Sequence, residues 1–443
     1  MARKYLVETF GCQMNVHDSE RIAGLLELEG YEPATDLSDT DVVVINTCSV
    51  REHAAEKLFS RLGEVRAASR DDGTRPVIAV AGCVAQQEGQ AILRRAPYVD
   101  VIVGTQAARQ LPSLLNRALA SGKAQVDVAR YDDVSFPLGV ARREDPVKAY
   151  VTILEGCNDH CAFCVVPSTR GRERMRARAE IVAEAADAVA SGRREIHLLG
   201  QIVNHYQAPD DPAFDFPALL EAIDAIPGVE RIRFASPHPR HTSARLVAAL
   251  RDLPHVCKHV HLPLQSGSTR VLRAMRRRHT REDYLRLVDD LRAAVPDIAI
   301  STDMIVGFPG ETTEDFDDTL SLVRAVRFSG MFSFKYSERP NTLASRRMPD
   351  DVPEDEKGRR LAELQEVQKA IQLAANQAAV GRVFDVLVDS ASRRLADEVA
   401  GRTSGNAVVN LPGPHSWLGR TVPVEIRRAG PNSLWGVPVE VRD

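Results

Sequence analysis

Short apolar runs alternate with amphipathic stretches along the first 120 residues of the chain. Runs of strand type lie at Lys4–Phe10, Asp41–Asn46, Pro76–Ala81 and Val99–Val103, and stretches of helical period at 18–29, 52–69, 85–95 and 107–119. Asp18 and Ser19 fit the cap at the start of the first helix. Repeated strand–helix units predict a parallel sheet with helices on both faces, so residues 1–120 form an N-terminal α/β domain.

A second series of strand–helix units follows a weakly periodic linker, 121–147. Strands are predicted at Ala149–Leu154, Glu195–Leu199, Arg231–Ala235, His259–Leu264, Ile298–Val306 and Phe332–Tyr336, with helices at 174–191, 241–252, 281–294 and 313–328. Six such units over 148–372 predict an open, partial TIM-like (βα)6 barrel. The active sites of such barrels lie at the carboxyl ends of the strands.

The last segment, 373–443, has a different pattern. A long helix over Pro353–Ala379 leads into short strands between glycines, at Val383–Val388, Ala407–Leu411, Thr421–Ile426 and Leu434–Val439. This pattern predicts a small closed β-barrel of the OB type, a fold that often binds single-stranded nucleic acid. The alternative is a cap that only stabilises the central barrel.

Composition narrows the class of protein. The net charge of −4 gives no global sign of nucleic-acid binding, so any such site must be a local patch. No apolar run is long enough to cross a bilayer, and the N-terminus enters a strand directly, so we expect a cytoplasmic protein without a membrane segment. Seven cysteines, an odd number, favour metal binding or catalysis over disulfides.

Three of the cysteines are closely spaced. Cys157, Cys161 and Cys164 form a C-x3-C-x2-C triplet, of which roughly 0.002 are expected by chance. A structural zinc requires four ligands, whereas three thiolates suit a four-iron cluster with one open iron. The alternatives are buried reduced thiols, or an adventitious zinc site that includes His160.

Three other cysteines each follow a predicted strand of the N-terminal domain. Cys12, Cys48 and Cys83 should therefore meet at one edge of the sheet, because the carboxyl ends of parallel strands share that edge. Gly11 and Gly82 would let the backbone approach a bulky ligand. This arrangement predicts a second iron–sulfur cluster; the alternative is three unrelated core residues.

The triplet, with Phe163 before its last cysteine, resembles the signature of the radical S-adenosylmethionine (SAM) superfamily. The resemblance implies that the open iron binds SAM and that one electron splits it to a 5′-deoxyadenosyl radical. It also implies SAM contacts from Phe163 and from residues at the ends of later strands, namely Gly200, Gln201, Gln265 and Gly307. Each of the latter could instead be a turn residue. Ile202, directly after Gln201, stands where the related enzymes usually have Asn.

The two cysteine trios together resemble the methylthiotransferases, a radical SAM branch in which the second cluster carries or donates sulfur. Gly401–Leu411 resembles the TRAM domain, an RNA-binding module, which makes Arg402 and Asn406 candidate RNA contacts. Arg276, Arg277 and Arg278 lie in an arginine-rich stretch that could grip phosphates or form a solvated face. Cys257 has no partner in this scheme and is expected to be a buried thiol.

Three strings resemble the methylthiotransferases that act on isopentenyl(dimethylallyl)-adenosine: Cys164–Gly171, Arg233–Arg240 and Val408–Asn410. Ser236-Pro237-His238 departs slightly from the usual version. The resemblance implies a transferase of sulfur-containing groups that adds sulfur and methyl to C2 of that nucleoside at position 37 of tRNA, next to the anticodon. It implies two [4Fe–4S] clusters, SAM, an electron donor such as flavodoxin or ferredoxin, and a monomer. The alternatives are threonylcarbamoyl-adenosine or a ribosomal-protein aspartate as target, or a non-catalytic iron–sulfur RNA-binding protein.

Overall fold

The computed structural model describes residues 2–49, 54–68, 75–131, 137–392, 395 and 397–439. The N-terminal elements are β1 (Lys4–Phe10), α1 (Gln13–Leu28), β2 (Glu32–Pro33), β3 (Val42–Thr47), α2 (Ala54–Ala67), β4 (Val77–Gly82), α3 (Cys83–Glu88), α4 (Ala91–Arg95), β5 (Val101–Val103), α5 (Leu111–Ser121) and β6 (Gln125–Asp127). The strands form one parallel sheet in the order β2-β1-β3-β4-β5-β6. The parallel sheet is confirmed, and its sixth strand lies within the segment predicted as a linker.

Helix α1 begins five residues before the predicted start, which corrects the assignment of Asp18 and Ser19 as caps. Cys12 takes the N-cap position, and its backbone amide donates to Asn15 Oδ1 at 3.3 Å. Asp18 and Ser19 are buried within the helix, where Asp18 pairs with Arg170 and Ser19 accepts a hydrogen bond from Asn46. Polar residues that suit a cap can equally serve tertiary contacts, and here they do.

The central region contains ten strands and nine helices among its described residues. The strands are β7 (Lys148–Thr152), β8 (Leu154–Glu155), β9 (Arg174–Met175), β10 (Glu195–Leu199), β11 (Gln207–Ala208), β12 (Asp211–Asp215), β13 (Arg231–Phe234), β14 (His259–His261), β15 (Ala299–Val306) and β16 (Gly330–Lys335). The helices are α6 (Val166–Thr169), α7 (Arg178–Ala190), α8 (Phe216–Asp224), α9 (Ala244–Asp252), α10 (Thr269–Ala274), α11 (Arg281–Ala294), α12 (Thr313–Val326), α13 (Leu343–Arg347) and α14 (Glu354–Ala378).

Six of these strands form the wall of the barrel. They are parallel and run in the orders β7-β10-β13 and β14-β15-β16, with a single bridge from Ile232 to Val256 joining the two groups. Strands β7 and β16 each pair with one barrel neighbour within the described chain, so the barrel is open, as predicted. The amphipathic helices cover its outer face in one large apolar core.

The C-terminal strands are β17 (Val383–Ala391), β18 (Glu398–Thr403), β19 (Val408–Pro412), β20 (Thr421–Ala429) and β21 (Leu434–Pro438). They close into a barrel in the order β17-β18-β19-β21-β20, which confirms the predicted closed β-barrel. Strand β18 was not among the predicted strands, because Gly401 and Arg402 suggest a turn. Gly401 is instead required by packing, since a Cβ there would lie 2.2 Å from the carbonyl oxygen of Leu387.

The C-terminal barrel is held against the amino ends of the central strands. At the start of β13, Arg231 donates to the Asp385 carbonyl at 2.9 Å, and Arg233 donates to the Thr403 carbonyl at 2.7 Å. Just before β14, the Lys258 amide donates to Ser404 Oγ at 2.8 Å. The C-terminal barrel therefore covers the end of the central barrel at which its strands begin. None of the described helices is long and apolar enough to cross a membrane.

Candidate active site

The cysteine triplet lies in the loop that follows β8, at the carboxyl end of the barrel. Cys157 is buried, and Cys161 and Cys164 are partly exposed. The loop is fixed by backbone hydrogen bonds, in which the Ala162 amide donates to Met275 O at 2.9 Å and the Ala344 amide donates to Ala162 O at 2.8 Å. Its three thiols are thus presented together on a braced loop.

Local backbone conformation shapes this loop. Gly156 has φ of +81°, and a Cβ at this position would lie 2.1 Å from the Arg172 carbonyl oxygen, so only glycine fits. His160 also has a left-handed backbone, with φ of +47°. Burial raises the pKa of Cys157 to about 11 and that of Cys164 to about 12. These thiols therefore need a positively charged group, such as a metal centre, to become thiolates at neutral pH.

Arg277 supplies one donor toward the triplet. Its guanidinium donates to Cys161 Sγ at 3.6 Å and to the Pro263 carbonyl at 2.7 Å, and the residue is only 7% exposed. Arg276 and Arg278 on either side have φ of +60° and +56°, which turns the three successive side chains in different directions. The side chain of Arg277 is thus buried against the cysteine loop, and its contact with RNA stays a prediction.

Several buried polar atoms around the triplet have no hydrogen-bond partner within the protein. They are Gln201 Oε1, His238 Nε2, His241 Nε2, Arg277 Nε and His279 Nε2. His238 Nε2 lies 3.7 Å from Asp159, which belongs to the cysteine loop itself. Buried polar groups are rarely left unpaired in a folded protein, so this set fits a polar ligand such as the amino acid and sugar groups of SAM.

Histidines are concentrated beside this loop in a way that the sequence did not reveal. His205 and His241 have ring centroids 4.3 Å apart, and His238 lies 5.6 Å from His279 and 5.9 Å from His241. Burial lowers the pKa of His241 and of His279 to about 4. The imidazoles of His241 and His279 are therefore neutral at physiological pH and can accept as well as donate hydrogen bonds. His238 lies within a motif noted in the sequence and His241 follows it in the same loop, whereas His205 and His279 come from two other loops.

The predicted SAM contacts occupy the ends of the barrel strands but differ in character. Gln265 is non-glycine with φ of +81°, a strained conformation of the kind found at functional sites. Gly307 has φ of +70°, and its amide donates to Glu311 Oε2 at 2.6 Å, so that amide is already used within the protein. A Cβ on Gly200 would lie 2.7 Å from Leu154, which gives this glycine a packing role. These positions remain predictions as ligand contacts.

The loop that contains Ile202 is stabilised in another way. Asn204 donates from Nδ2 to the His238 carbonyl at 2.9 Å and accepts from the His238 amide at 2.8 Å. Asn204 thereby joins the loop after β10 to the loop after β13. Ile202 itself is buried. The loop is therefore held in place by Asn204, although position 202 is Ile and not Asn.

The second trio lies at the carboxyl edge of the N-terminal sheet. Cys12 precedes α1, Cys48 follows β3, and Cys83 begins α3, and the Cys48 thiol hydrogen-bonds with both of the others. Gly82 before Cys83 has φ of +92°, and a Cβ there would lie 2.2 Å from Asn46 Oδ1. The parallel sheet brings together three cysteines that lie about 35 residues apart in the sequence.

The surroundings of this trio favour thiolates at Cys12 and Cys83. The hydrogen bond from the Cys48 thiol lowers the pKa of both Cys12 and Cys83, and the positive charge of buried Arg170 lowers them further. The same hydrogen bonds raise the pKa of Cys48. Deprotonated thiols are the form that binds iron, so the chemistry of this set of ligands fits an iron–sulfur cluster.

The two trios belong to elements that touch. Helix α3, which starts at Cys83, packs on α6, which begins two residues after Cys164. Thr105 Oγ1 donates to the Thr169 carbonyl at 2.7 Å across the same contact. Both sets of thiols therefore border one interface between the N-terminal sheet and the barrel.

Neither trio is arranged for a single metal ion. Within the described part of the chain, no group of three His, Cys, Asp or Glu side chains surrounds a point that could hold one ion. His160 is exposed beside the triplet.

The remaining candidate RNA contacts fall into two separate places. Arg276 and Arg278 are exposed on the turn after Met275, beside the cysteine triplet. Arg402 and Asn406, which hydrogen-bond to each other at 3.2 Å, lie on the C-terminal barrel at the opposite end of the strands. Strand β15 has eight residues, which places the two ends about 26 Å apart at ~3.3 Å per residue.

Comparison with known families covers most of the chain. Residues 4–104 match "Uncharacterized protein family UPF0004", residues 151–323 match the radical SAM superfamily, and residues 377–439 match the TRAM domain. These matches fall on the parallel sheet, the open barrel and the closed barrel described above.

Curated relatives align over nearly the full length. The chain is 44% identical to tRNA-2-methylthio-N(6)-dimethylallyladenosine synthase from Caldicellulosiruptor saccharolyticus, with 98% of this chain and 92% of the relative covered. The proteins of the same name from Chromobacterium violaceum and Acidothermus cellulolyticus are 46% and 47% identical, with 98% of this chain and 98% and 87% of the relatives covered.

Solved structures share the fold at much lower identity. The radical SAM methyltransferase TsrM from Kitasatospora setae superposes with a TM-score of 0.58 at 16% identity, covering 78% of this chain and 77% of that one. The cobalamin-dependent radical SAM enzyme OxsB has a TM-score of 0.55 at 11% identity, covering 84% of this chain and 56% of that one. These likenesses establish the radical SAM fold.

Proposed function

The chain belongs to the tRNA-2-methylthio-N(6)-dimethylallyladenosine synthase family, and we propose from this that it adds a methylthio group to C2 of N6-isopentenyl-adenosine at position 37 of tRNA. The observation that carries this proposal is an identity of 44–47% over 98% of the chain, which extends across all three domains. The nucleoside follows from the names of these relatives, and its place beside the anticodon is what the resemblance to the methylthiotransferases implies.

Each trio has a separate part in this proposal. Cys157, Cys161 and Cys164 hold the [4Fe–4S] cluster that binds SAM, and Cys12, Cys48 and Cys83 hold the auxiliary cluster. When bound, these groups supply reductive cleavage of SAM, removal of the hydrogen on C2 and delivery of sulfur to that carbon. A second SAM supplies the methyl group, so one C–H bond is replaced by one C–S–CH₃ unit.

The chain itself holds and orients these groups. The buried amides and imidazoles around the triplet bind the polar end of SAM, and Arg277 stabilises the sulfur of Cys161. The contact of α3 with α6 keeps the auxiliary site next to the barrel mouth. Arg276 and Arg278 bind phosphates of the RNA at that mouth. An external donor such as flavodoxin or ferredoxin supplies the electron, and the protein acts as a cytoplasmic monomer.

Mass spectrometry of a defined RNA tests the proposal. The reconstituted protein is incubated anaerobically with SAM, a reductant and anticodon stem-loops that carry isopentenyl-adenosine, threonylcarbamoyl-adenosine or plain adenosine. We expect the mass of one sulfur and one CH₂ to be added to the isopentenyl RNA alone. Addition to the threonylcarbamoyl RNA, or to a ribosomal protein only, would place the chain's activity in another branch. Absence of any SAM cleavage would indicate a non-catalytic RNA-binding protein.

A further inference from the structure

The last strand of the open barrel leaves two phenyl rings in contact with solvent. Phe332 is 64% exposed and Phe334 is 51% exposed, whereas the other phenylalanines and both tryptophans in the described chain are buried or half-buried. An exposed pair of large apolar side chains forfeits the stabilisation that burial would give. Such a pair on an otherwise well-packed protein indicates a surface that a ligand covers.

Both rings point into the barrel. Ser333, between them, accepts a hydrogen bond from Gln365 of α14 at 3.3 Å, and Met331 packs against the outer core. Successive side chains of a strand point to opposite faces, so Phe332 and Phe334 lie on the inner face. Consistent with this, the Phe332 ring makes an edge contact with His261 of β14, with centroids 6.0 Å apart.

The inner face of β16 is continuous with the active site. In the pairing of β15 with β16, Phe332 lies beside Asp303 and Phe334 beside Ile305. Ile305 packs against the same small apolar cluster as Phe163, which belongs to the cysteine triplet loop. The two phenyl rings therefore form a wall that leads from the open edge of the barrel to the triplet.

We propose that Phe332 and Phe334 form the wall that receives the isopentenyl group of the target adenosine. The inference rests on the proposed function and names the residues that select its substrate. The isopentenyl-bearing N6 is attached to C6, and C6 and the reacting C2 flank the same ring nitrogen, N1, so the surface that takes the isopentenyl group must adjoin the reaction site. An apolar five-carbon group without hydrogen-bonding atoms matches two phenyl rings at the barrel edge better than it matches the histidines beside Asp159.

Contact of the isopentenyl group with these rings makes the protein bind the modified RNA more tightly than the unmodified RNA. Burying five carbons against an apolar wall supplies a preference on the order of a hundredfold over unmodified adenosine, allowing for incomplete burial. An aromatic wall that only stacked on the adenine ring would strengthen binding of both RNAs equally, because both contain that ring. The ratio of the two affinities therefore separates selection of the isopentenyl group from general base stacking.

The test compares dissociation constants of isopentenyl-modified and unmodified anticodon stem-loops for the reconstituted protein. The variants are Phe332→Ala, Phe334→Ala, the double variant, and Phe334→Leu, which keeps an apolar side chain. We expect the double variant to lose most of the preference, to below about tenfold, and Phe334→Leu to retain most of it. The matched control is Leu28→Ala, which removes an equally exposed apolar side chain (69%) from the end of α1.

Two further measurements show whether a change in RNA affinity comes from damage to the clusters. Iron content and RNA-free cleavage of SAM report on the clusters, and we expect both to be unchanged in the phenylalanine variants. An unchanged affinity ratio in the double variant, or an equal loss for both RNAs, would overturn this inference while leaving the proposed function intact. If the wild-type protein neither prefers nor methylthiolates the isopentenyl RNA, the proposed function itself fails.

Discussion

The guanidinium of Arg170 lies 2.5 Å from the carboxylate of Asp18, so that a buried ion pair joins the barrel to the N-terminal sheet. Arg170 follows the loop of the cysteine triplet, and its charge also acts on Cys12 and Cys83 of the other trio. Glu155, which precedes the triplet, lies 3.9 Å from the other terminal nitrogen of the Arg170 guanidinium. One positive charge thus holds together the two halves of the candidate active site.

Replacing Arg170 with Met should destabilise the protein strongly. The substitution leaves the buried carboxylate of Asp18 without its cation and leaves Glu155 with Arg21, and breaking a buried pair in this way typically costs about 3–5 kcal/mol. The free energy of unfolding from urea titration measures the effect. Arg142→Met is the matched control, because its ion pair with Glu27 is exposed, and we expect it to cost less than about 1 kcal/mol. Similar losses in the two variants would refute a structural role for the Arg170 pair.

Substitutions in the two cysteine trios should separate SAM cleavage from formation of the methylthio product. Cys157→Ala should abolish 5′-deoxyadenosine formation, whereas Cys83→Ala should retain it and lose the methylthio product. Each variant should bind about four irons fewer than the wild type, since each trio holds one four-iron cluster. Cys257→Ala, a buried thiol outside both trios, should retain all the iron and both products. Methylthio product from Cys83→Ala would disprove the division.

His17 should make the domain interface sensitive to acid. It lies between Thr152 Oγ1 at 2.7 Å and Glu184 at 3.1 Å, and burial, followed by the charge of Arg21, lowers its pKa to about 4. Because the folded pKa lies below the unfolded value of about 6.5, the unfolded chain binds a proton first as the pH falls. Stability present above about pH 6.5 is therefore lost toward pH 4, by about 2 kcal/mol at about pH 5.

The His17→Gln variant isolates this contribution. Glutamine removes the titrating group, so the difference in unfolding free energy between variant and wild type should change between about pH 7 and pH 5 by roughly the amount lost from His17. Unfolding curves at the two pH values give this difference. A constant difference would show that His17 keeps its ordinary pKa in the folded protein.

RNA affinity should depend on salt through the arginines at the barrel mouth. If Arg276 and Arg278 bind phosphates, replacing either with Ala should reduce the slope of log affinity against log salt concentration by about 0.7–0.9. Arg286→Ala is the control, because Arg286 is an exposed arginine on α11. Fluorescence anisotropy of a labelled stem-loop at several salt concentrations measures the slope. Equal slopes for all variants would rule out phosphate contacts at this turn.

Much of the fold could be predicted because hydrophobic period and strand topology are local and general properties. The meeting of Cys12, Cys48 and Cys83 follows from parallel strands alone. The burial of Arg277 could not be predicted, because it depends on left-handed backbone at Arg276 and Arg278 that the sequence does not specify. Phe332 and Phe334 were indistinguishable in sequence from core residues, since their exposure arises only because β16 is an edge strand.

The contacts of the C-terminal barrel with Arg231 and Arg233 affect how a deletion of that barrel must be interpreted. A truncated chain ending near residue 378 would uncover two arginines that normally donate to the carbonyls of Asp385 and Thr403, as well as the floor of the catalytic barrel. A loss of tRNA modification in such a mutant would therefore reflect damage to the scaffold as much as failure to capture RNA. Substitution of a partly exposed side chain of the C-terminal barrel, such as Arg402→Ala, separates these two effects where deletion cannot.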